Sequence, residues 1–428
     1  MIRAKKATLG DVLVIGFAMF AMFFGAGNLI FPPYLGMVAG EQWFSGFMCF
    51  IIADAGLAIM TVLAMIRKDG TVWSMVDRIG KIPGKIVATT AIAVVGPILC
   101  IPRTCATTFE MGVQPIFPEF NSWIFAAIFF ALTYILTVKP STVVDIIGKF
   151  LTPALLLTLA VLVIKGIITP IGPINPDAIV DGVLKEGFLA GYQTMDVLGA
   201  LAVTMIVVGN ASRKGYDDHK SRFDVILKSS VIAVIGLFVV YCGLSYLGAT
   251  TSMMDLGSGV NQTALVVMIT ELLLGRVGVI LLALIVLFAC LTTAIGLVSA
   301  SSDFFSDLSN NKITYSTLVA VVCVFGAVIS NVGISAMISI ATPILNIIYP
   351  VILTQVILSF FDEKIKNDNI FKGAAIGALI VCALGVAADY GAPFGFVYSL
   401  PLSSIGFFWI LPAAVCSIIG AFIPSKNK

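Results

Sequence analysis

Histidine is nearly absent: the chain has one, His219, in a charged stretch. Charge of either sign is scarce, at 11% Asp, Glu, Lys and Arg with a net charge of +2. A histidine proton relay or a histidine metal site within an apolar interior is excluded by count. The near-zero balance argues against a basic nucleic-acid surface, so no nucleic-acid partner is expected. CxxC pairs are missing too. Cys49, Cys100, Cys105, Cys242, Cys290, Cys323, Cys382 and Cys416 fall in apolar stretches without metal spacing and read as small hydrophobes. No His, Cys or paired-carboxylate constellation points to an enzyme. What the chain has in excess is apolar side chain, 59% of 428 residues. A water-soluble core of this size does not hold that fraction, so the solvent is lipid.

Twelve apolar segments are long enough to cross a bilayer. They run over 10–36, 42–66, 85–112, 122–138, 143–168, 188–212, 225–249, 273–302, 314–332, 335–361, 370–388 and 404–424. The first is too long for a cleavable leader and has no small-residue cleavage site after it. With the N-terminus inside, all Lys and Arg except Arg103, Lys165, Lys185 and Arg276 fall on the cytoplasmic side. That alternation predicts an all-α integral membrane protein with both termini cytoplasmic.

Segments 1–5 (1–168) and 6–10 (188–361) read as two copies. Five spans per copy make the second inverted relative to the first. Thr152-Pro153 in segment 5 matches Thr342-Pro343 in segment 10. The first segment of each copy is interrupted, by Gly25-Ala26-Gly27-Asn28 and by Gly191-Tyr192-Gln193-Thr194-Met195-Asp196-Val197-Leu198-Gly199. Hydrocarbon tolerates broken backbone only beside protein or a water-filled cavity. Paired interruptions in two halves point to a transporter binding site. Glycines that merely let helices pack closely are the plainer reading of each interruption. Residues 370–428 carry two further segments outside the repeat.

Gly25, Ala26, Gly27 and Asn28 open a half-helix whose N–H groups suit a substrate carboxylate. Tyr192, Thr194 and Asp196 are the candidates in segment 6. Asp196 can bind a substrate ammonium, a cation or a proton, or pair with Arg103. Asp54 is a second intramembrane carboxylate. Arg103 and Glu110 share a helix face, as a gate or as a pair. Asp145 and Lys149 read as an i,i+4 surface pair, or Lys149 replaces a cation near segment 8. In that segment Ala289, Thr292 and Thr293 place three hard oxygens within one turn, suited to a small alkali cation. Hydroxyls bonding back to the preceding turn are the plainer reading. Trp43, Trp73, Trp123, Trp409, Tyr34 and Tyr349 read as interfacial anchors. Loops 169–187 and 250–272 are the long external connections, as lids or as inert connectors.

The run Met22-Phe23-Phe24-Gly25-Ala26-Gly27-Asn28-Leu29-Ile30-Phe31-Pro32-Pro33 resembles the bacterial branched-chain amino acid:cation symporters, the system II carriers often called BrnQ. Pro102-Arg103-Thr104 and Gly191 to Asp196 add to the likeness, which covers essentially the whole chain. The resemblance implies a LeuT-type fold of five plus five helices with helices 1 and 6 broken. It implies sodium-coupled import of leucine, isoleucine and valine across the bacterial inner membrane, with no cofactor besides the coupling ion. Ala289-Cys290-Leu291-Thr292-Thr293 looks like the sodium-site run of that fold, with carbonyls near Phe24 completing the shell. The stretch from Gly27-Asn28 to Phe31-Pro32 is one residue shorter than in LeuT-type neurotransmitter carriers. Asn28 is therefore not assigned to a second sodium; it caps the inner half-helix or contacts substrate. Two alternatives are a proton-coupled carrier using Lys149 or Asp196, and an amino acid sensor without flux.

Overall fold

The structure, a computed structural model, describes residues 5–68, 70–138, 156–254 and 261–424. Helices and turns make up these residues, and no strand occurs among them. A helix satisfies its own backbone polar groups, which lipid cannot do. The first helices are α1 (Leu9–Phe23), α2 (Ala26–Ala39), α3 (Trp43–Ile51), α4 (Leu57–Arg67), α5 (Val72–Val76), α6 (Lys81–Ala93), α7 (Cys100–Thr108) and α8 (Ser122–Val138). Next come α9 (Leu156–Ile168), α10 (Val183–Thr194), α11 (Asp196–Arg213), α12 (His219–Ala249) and α13 (Gln262–Leu308). The last are α14 (Tyr315–Ile329), α15 (Ile334–Ser359), α16 (Asn369–Asp389) and α17 (Ile410–Phe422).

Eight helical stretches are long and apolar enough to cross a membrane, and four shorter apolar helices accompany them. Within the described residues the expected segments fall on these helices, the fifth from Leu156 onward. Asp145, Lys149, Thr152 and Pro153 lie outside the described residues. Polar caps start several helices: the Thr8, Asp218 and Asn261 side chains accept the N–H groups of Asp11, Ser221 and Ala264. On α14 and α17, Val324, Val328, Ile418 and Phe422 are exposed, as a lipid-facing surface requires.

Both anticipated interruptions are present. Phe24 and Gly25 leave the helical conformation between α1 and α2, with Gly25 extended at φ −111° and ψ −171°. Met195 breaks α10 from α11 in a left-handed conformation, φ 67° and ψ 17°. That conformation costs a non-glycine residue about 1–2 kcal/mol, and the close packing around buried Met195 holds it there. Single π turns interrupt other helices at Ile52–Gly56, Val94–Ile98 and Phe109–Val113. Asp54 lies in the first and Glu110 in the third.

Three expectations need correction. Tyr349 and Trp409 are buried, not interfacial: Tyr349 stacks on Tyr192 of α10, and Trp409 packs on Phe407. The 250–272 connection is helical from Gln262, and a bend at Gly275 (φ 64°) turns that helix into segment 8. Loop 169–187 is shorter than expected, since α10 begins at Val183, and it is tied down. The Glu41 N–H donates to the Asn175 carbonyl at 2.9 Å and the Ile179 N–H to the Val38 carbonyl at 2.8 Å, which straps the loop over the end of α2.

Candidate functional site

Asn28 lies in the first turn of α2 and is 1% exposed. Its side-chain oxygen accepts the Gly25 N–H at 3.2 Å. That N–H fixes which way the amide points, because the reversed amide would set donor against donor. The amide nitrogen donates to Asp196 Oδ2 at 2.9 Å and reaches the two Asp54 oxygens at 3.3 and 3.2 Å. One amide thus joins the break in α1–α2, the π turn of the second segment and the break in α10–α11. Of the two expected roles, capping or substrate contact, the structure shows a cap: Asn28 closes the start of α2, the half-helix that follows the break.

Asp54 is fully buried. The Thr194 hydroxyl lies 2.8 Å from its Oδ1 and 2.6 Å from the Gly191 carbonyl, and its one proton serves one acceptor at a time. The two carboxyl groups also interact with each other directly. A paired carboxylate, absent from the pattern of the sequence, is therefore created by the fold. Gly191 makes room for it: a Cβ there would sit 2.6 Å from the Ala53 Cβ and 3.0 Å from the Phe50 carbonyl.

Arg103 does not pair with Asp196 or with Glu110. Its guanidinium donates to the Gln193 carbonyl at 2.6 Å and to the Thr194 carbonyl at 3.1 Å. A cation on the last carbonyls of α10 complements the negative end of that half-helix. Gly27 is the floor under it, since a Cβ there would meet Arg103 Nη2 at 2.8 Å and the Thr194 Cα at 3.2 Å. Glu110 has a separate task. It accepts the Thr263 hydroxyl at 2.6 Å and the Ile334 N–H at 3.1 Å, tying the third segment to the starts of α13 and α15.

On α13 both threonine hydroxyls donate to the Ala289 carbonyl at 2.9 Å, and Thr292 also reaches the Phe288 carbonyl at 3.1 Å. The plainer reading of these threonines therefore holds in this state. Their position adds to it: Thr293 Oγ1 is 4.0 Å from a Cβ built on Gly25. The Ala289 carbonyl and the two hydroxyls form a cluster of hard oxygens beside the first break, the donor type an alkali cation takes.

Tyr192 packs its ring on Tyr349, with centroids 4.5 Å apart. Its hydroxyl faces Trp409 and Cys382, away from the carboxylates. Two tyrosines that the sequence did not single out for the site reach it instead. Tyr241 faces Asn28 and both carboxylates, and Tyr349 faces both carboxylates and the Val197 backbone. A buried phenol opposite an intramembrane acid needs the tertiary fold to be seen. Asp11 was also missed. It accepts Lys5 at 3.0 Å, Lys214 at 2.9 Å and the Tyr216 hydroxyl at 2.9 Å, tying the start of α1 to the α11–α12 turn.

Two broken helices facing each other over buried polar groups in an apolar helical body define a multi-pass membrane transporter. The fold is shared with solved transporters. Mhp1, a nucleobase-cation-symport-1 family transporter in a closed conformation with bromovinylhydantoin bound, aligns over 98% of this chain and 92% of its own at TM-score 0.67 and 15% identity. A Na+-coupled sialic acid symporter in a substrate-bound outward-open state aligns over 98% and 97% at TM-score 0.53 and 12% identity. This is the expected LeuT-type architecture.

Residues 8–427 match the family described as branched-chain amino acid transport protein, and the chain belongs to it. The branched-chain amino acid permease BraB of Bacillus subtilis is 34% identical over 97% of each chain. The branched-chain amino acid transport system 2 carrier protein of Pseudomonas aeruginosa is 35% identical over 96% of this chain and 95% of its own. The protein is a transporter and not an enzyme.

Proposed function

We propose that the protein imports leucine, isoleucine and valine by symport with sodium across the bacterial plasma membrane, both termini cytoplasmic. The family and its relatives support the substrate class. The observation that carries the mechanism is Asn28, which bonds Gly25, Asp54 and Asp196 at once.

The first turn of α2, Gly25 to Asn28, receives the substrate carboxylate through the N–H groups of Ala26, Gly27 and Asn28, where the helix dipole favours negative charge, while the Gly25 N–H stays on the Asn28 side chain. Asp196 and the carbonyl end of α10 receive the ammonium, and Arg103 keeps that end in place. An apolar pocket takes the aliphatic tail. One methylene there is worth only about 1–3 kcal/mol, so the three substrates are poorly separated.

Sodium is assigned to the Ala289 carbonyl, Thr292, Thr293 and carbonyls near Phe24. The cation then touches the same break that positions the substrate. Thr293 lies beside Gly25, Gly25 bonds Asn28, and Asn28 bonds both carboxylates. A ligand at either end biases one shared arrangement of the broken helix, which is what coupling requires. The two halves, 1–168 and 188–361, move against each other around this point, and residues 370–428 stand outside them.

The test is labelled leucine uptake into proteoliposomes under separate sodium and proton gradients. Uptake driven by inward sodium alone, and lost in Thr292→Ala/Thr293→Ala, is expected. Uptake driven only by protons would overturn the sodium assignment, and binding without flux would make the protein a sensor.

A further inference from the structure

Asp54 and Asp196 meet through one amide and contact each other in a buried place. No ion pair among the described residues includes either of them. The groups around them are accounted for element by element. From α2 comes Asn28, and from α10 Thr194. From α7 come Cys100 and Arg103, whose guanidinium donates to two carbonyls through Nη1 and Nη2 and bonds neither carboxylate, its Nε–H having no partner among the described residues. From α12 comes Tyr241 and from α15 Tyr349, both neutral phenols.

Two adjacent carboxylates without a cation cannot both ionise in a dry site, because repulsion and lost hydration add. One proton held between them removes one charge and supplies the donor that a carboxyl–carboxyl hydrogen bond needs. A second observation points to a ligand at the same place. The Tyr241 and Tyr349 hydroxyls are fully buried, lie near the pair, beside Asn28 and the Val197 backbone respectively, and have no hydrogen-bond partner within 3.5 Å among the described residues. Buried hydroxyls without partners cost about 1–3 kcal/mol each, so such a cradle stands ready for a polar guest. An alkylammonium fits it. It brings one positive charge and three donors, for carboxylate and phenol oxygens together.

Resting on the branched-chain amino acid reading above, we infer that Asp54 and Asp196 share one proton in the substrate-free carrier and that the arriving amino acid ammonium expels it. The ammonium keeps its three protons. The shared proton leaves the carboxyl pair for water, and both carboxylates then face the substrate cation. No bond besides the O–H breaks. The linkage sign follows. A site protonated when free and ionised when loaded binds more tightly as pH rises, until the free pair itself loses its proton. Below that point leucine affinity falls about tenfold for each pH unit. The proton belongs to the pair, so no single residue titrates alone.

The experiment is calorimetric leucine binding to the purified full-length carrier at fixed sodium, in two buffers of different ionisation enthalpy. About one proton released per leucine is expected below the pair's transition. In Asp54→Asn the like charge is gone, and release falls toward zero. If that variant fails to fold, the two-buffer measurement on the native chain decides by itself. Leucine binding without proton release at any pH overturns the inference and leaves the carrier reading intact. Proton release on adding sodium without leucine overturns it as well and assigns the pair to the coupling ion. Absence of leucine binding under all conditions overturns both readings.

Discussion

The Asn28 side-chain nitrogen lies 2.9 Å from Asp196 Oδ2, and this contact joins the two broken helices. Asn28→Ala removes the donor shared by two buried carboxyl groups and the acceptor of the Gly25 N–H. Leaving such groups unpaired costs about 1–3 kcal/mol, a factor of roughly 5–150 in an equilibrium. Leucine affinity measured by equilibrium binding should weaken within that range. Unchanged affinity would mean that the two breaks are held in register by something else.

Gly27 carries a different load. A methyl at that position would lie 2.8 Å from Arg103 Nη2, so the guanidinium must leave the Gln193 and Thr194 carbonyls. Gly27→Ala should destabilise the folded carrier by about 1–3 kcal/mol, read as a lowered thermal midpoint in detergent. Gly209, inside α11 with nothing within 4 Å of its built Cβ, is the control, and Gly209→Ala should hold or raise the midpoint. Equal midpoints for both variants would show that Arg103 can move without loss.

What the sequence revealed and what it hid divide along physical lines. Backbone interruption in a lipid-facing chain is rare enough to be visible, so the breaks near Gly25 and in Gly191–Gly199 were legible. The second falls at Met195, which no residue propensity marks, because tertiary packing imposes its left-handed turn. The Asp54–Asp196 pair joins residues far apart in the chain, and no local period encodes it. The π turns at Ile52–Gly56 and Phe109–Val113 were equally invisible, since apolar composition is the same for either helical winding. Tyr349 was misread as an anchor because its place near the middle of α15, between α10 and α16, is set by helix packing. Arg103 illustrates the remaining gap. Its type and depth marked it as functional, but its partners are carbonyls, which carry no signature in the sequence.

Thr293 separates two meanings of a hydroxyl on α13. It donates to the Ala289 carbonyl at 2.9 Å in the present state, a bond that serine can also make. If the hydroxyl also ligates sodium, Thr293→Ser should keep sodium-dependent leucine uptake, while Thr293→Ala should raise the sodium concentration for half-maximal uptake. The loss of one ligand is expected to shift that value by about 10–100-fold, the range seen when a metal's supporting groups are removed. A Thr293→Ala variant with the native sodium dependence would leave the threonine a purely intrahelical role.

Glu110 tests whether the far end of the third segment controls access. Its two oxygens hold Thr263 at 2.6 Å and the Ile334 N–H at 3.1 Å, so three elements meet on one carboxylate. Glu110→Gln preserves the shape but replaces one acceptor oxygen with an amide donor. That donor faces either the Thr263 hydroxyl, which can turn to accept, or the Ile334 N–H, which cannot. The amide will therefore keep its oxygen on Ile334 and lose the strength of a charge-assisted bond to Thr263, about 1 kcal/mol. The start of α13 should then open more often, and amide hydrogen exchange over residues 262–274 should speed up about fivefold with little change elsewhere. Unaltered exchange there would mean that the apolar contacts of Leu265 and Ile269 with Leu162 and Leu247, not Glu110, keep this end shut.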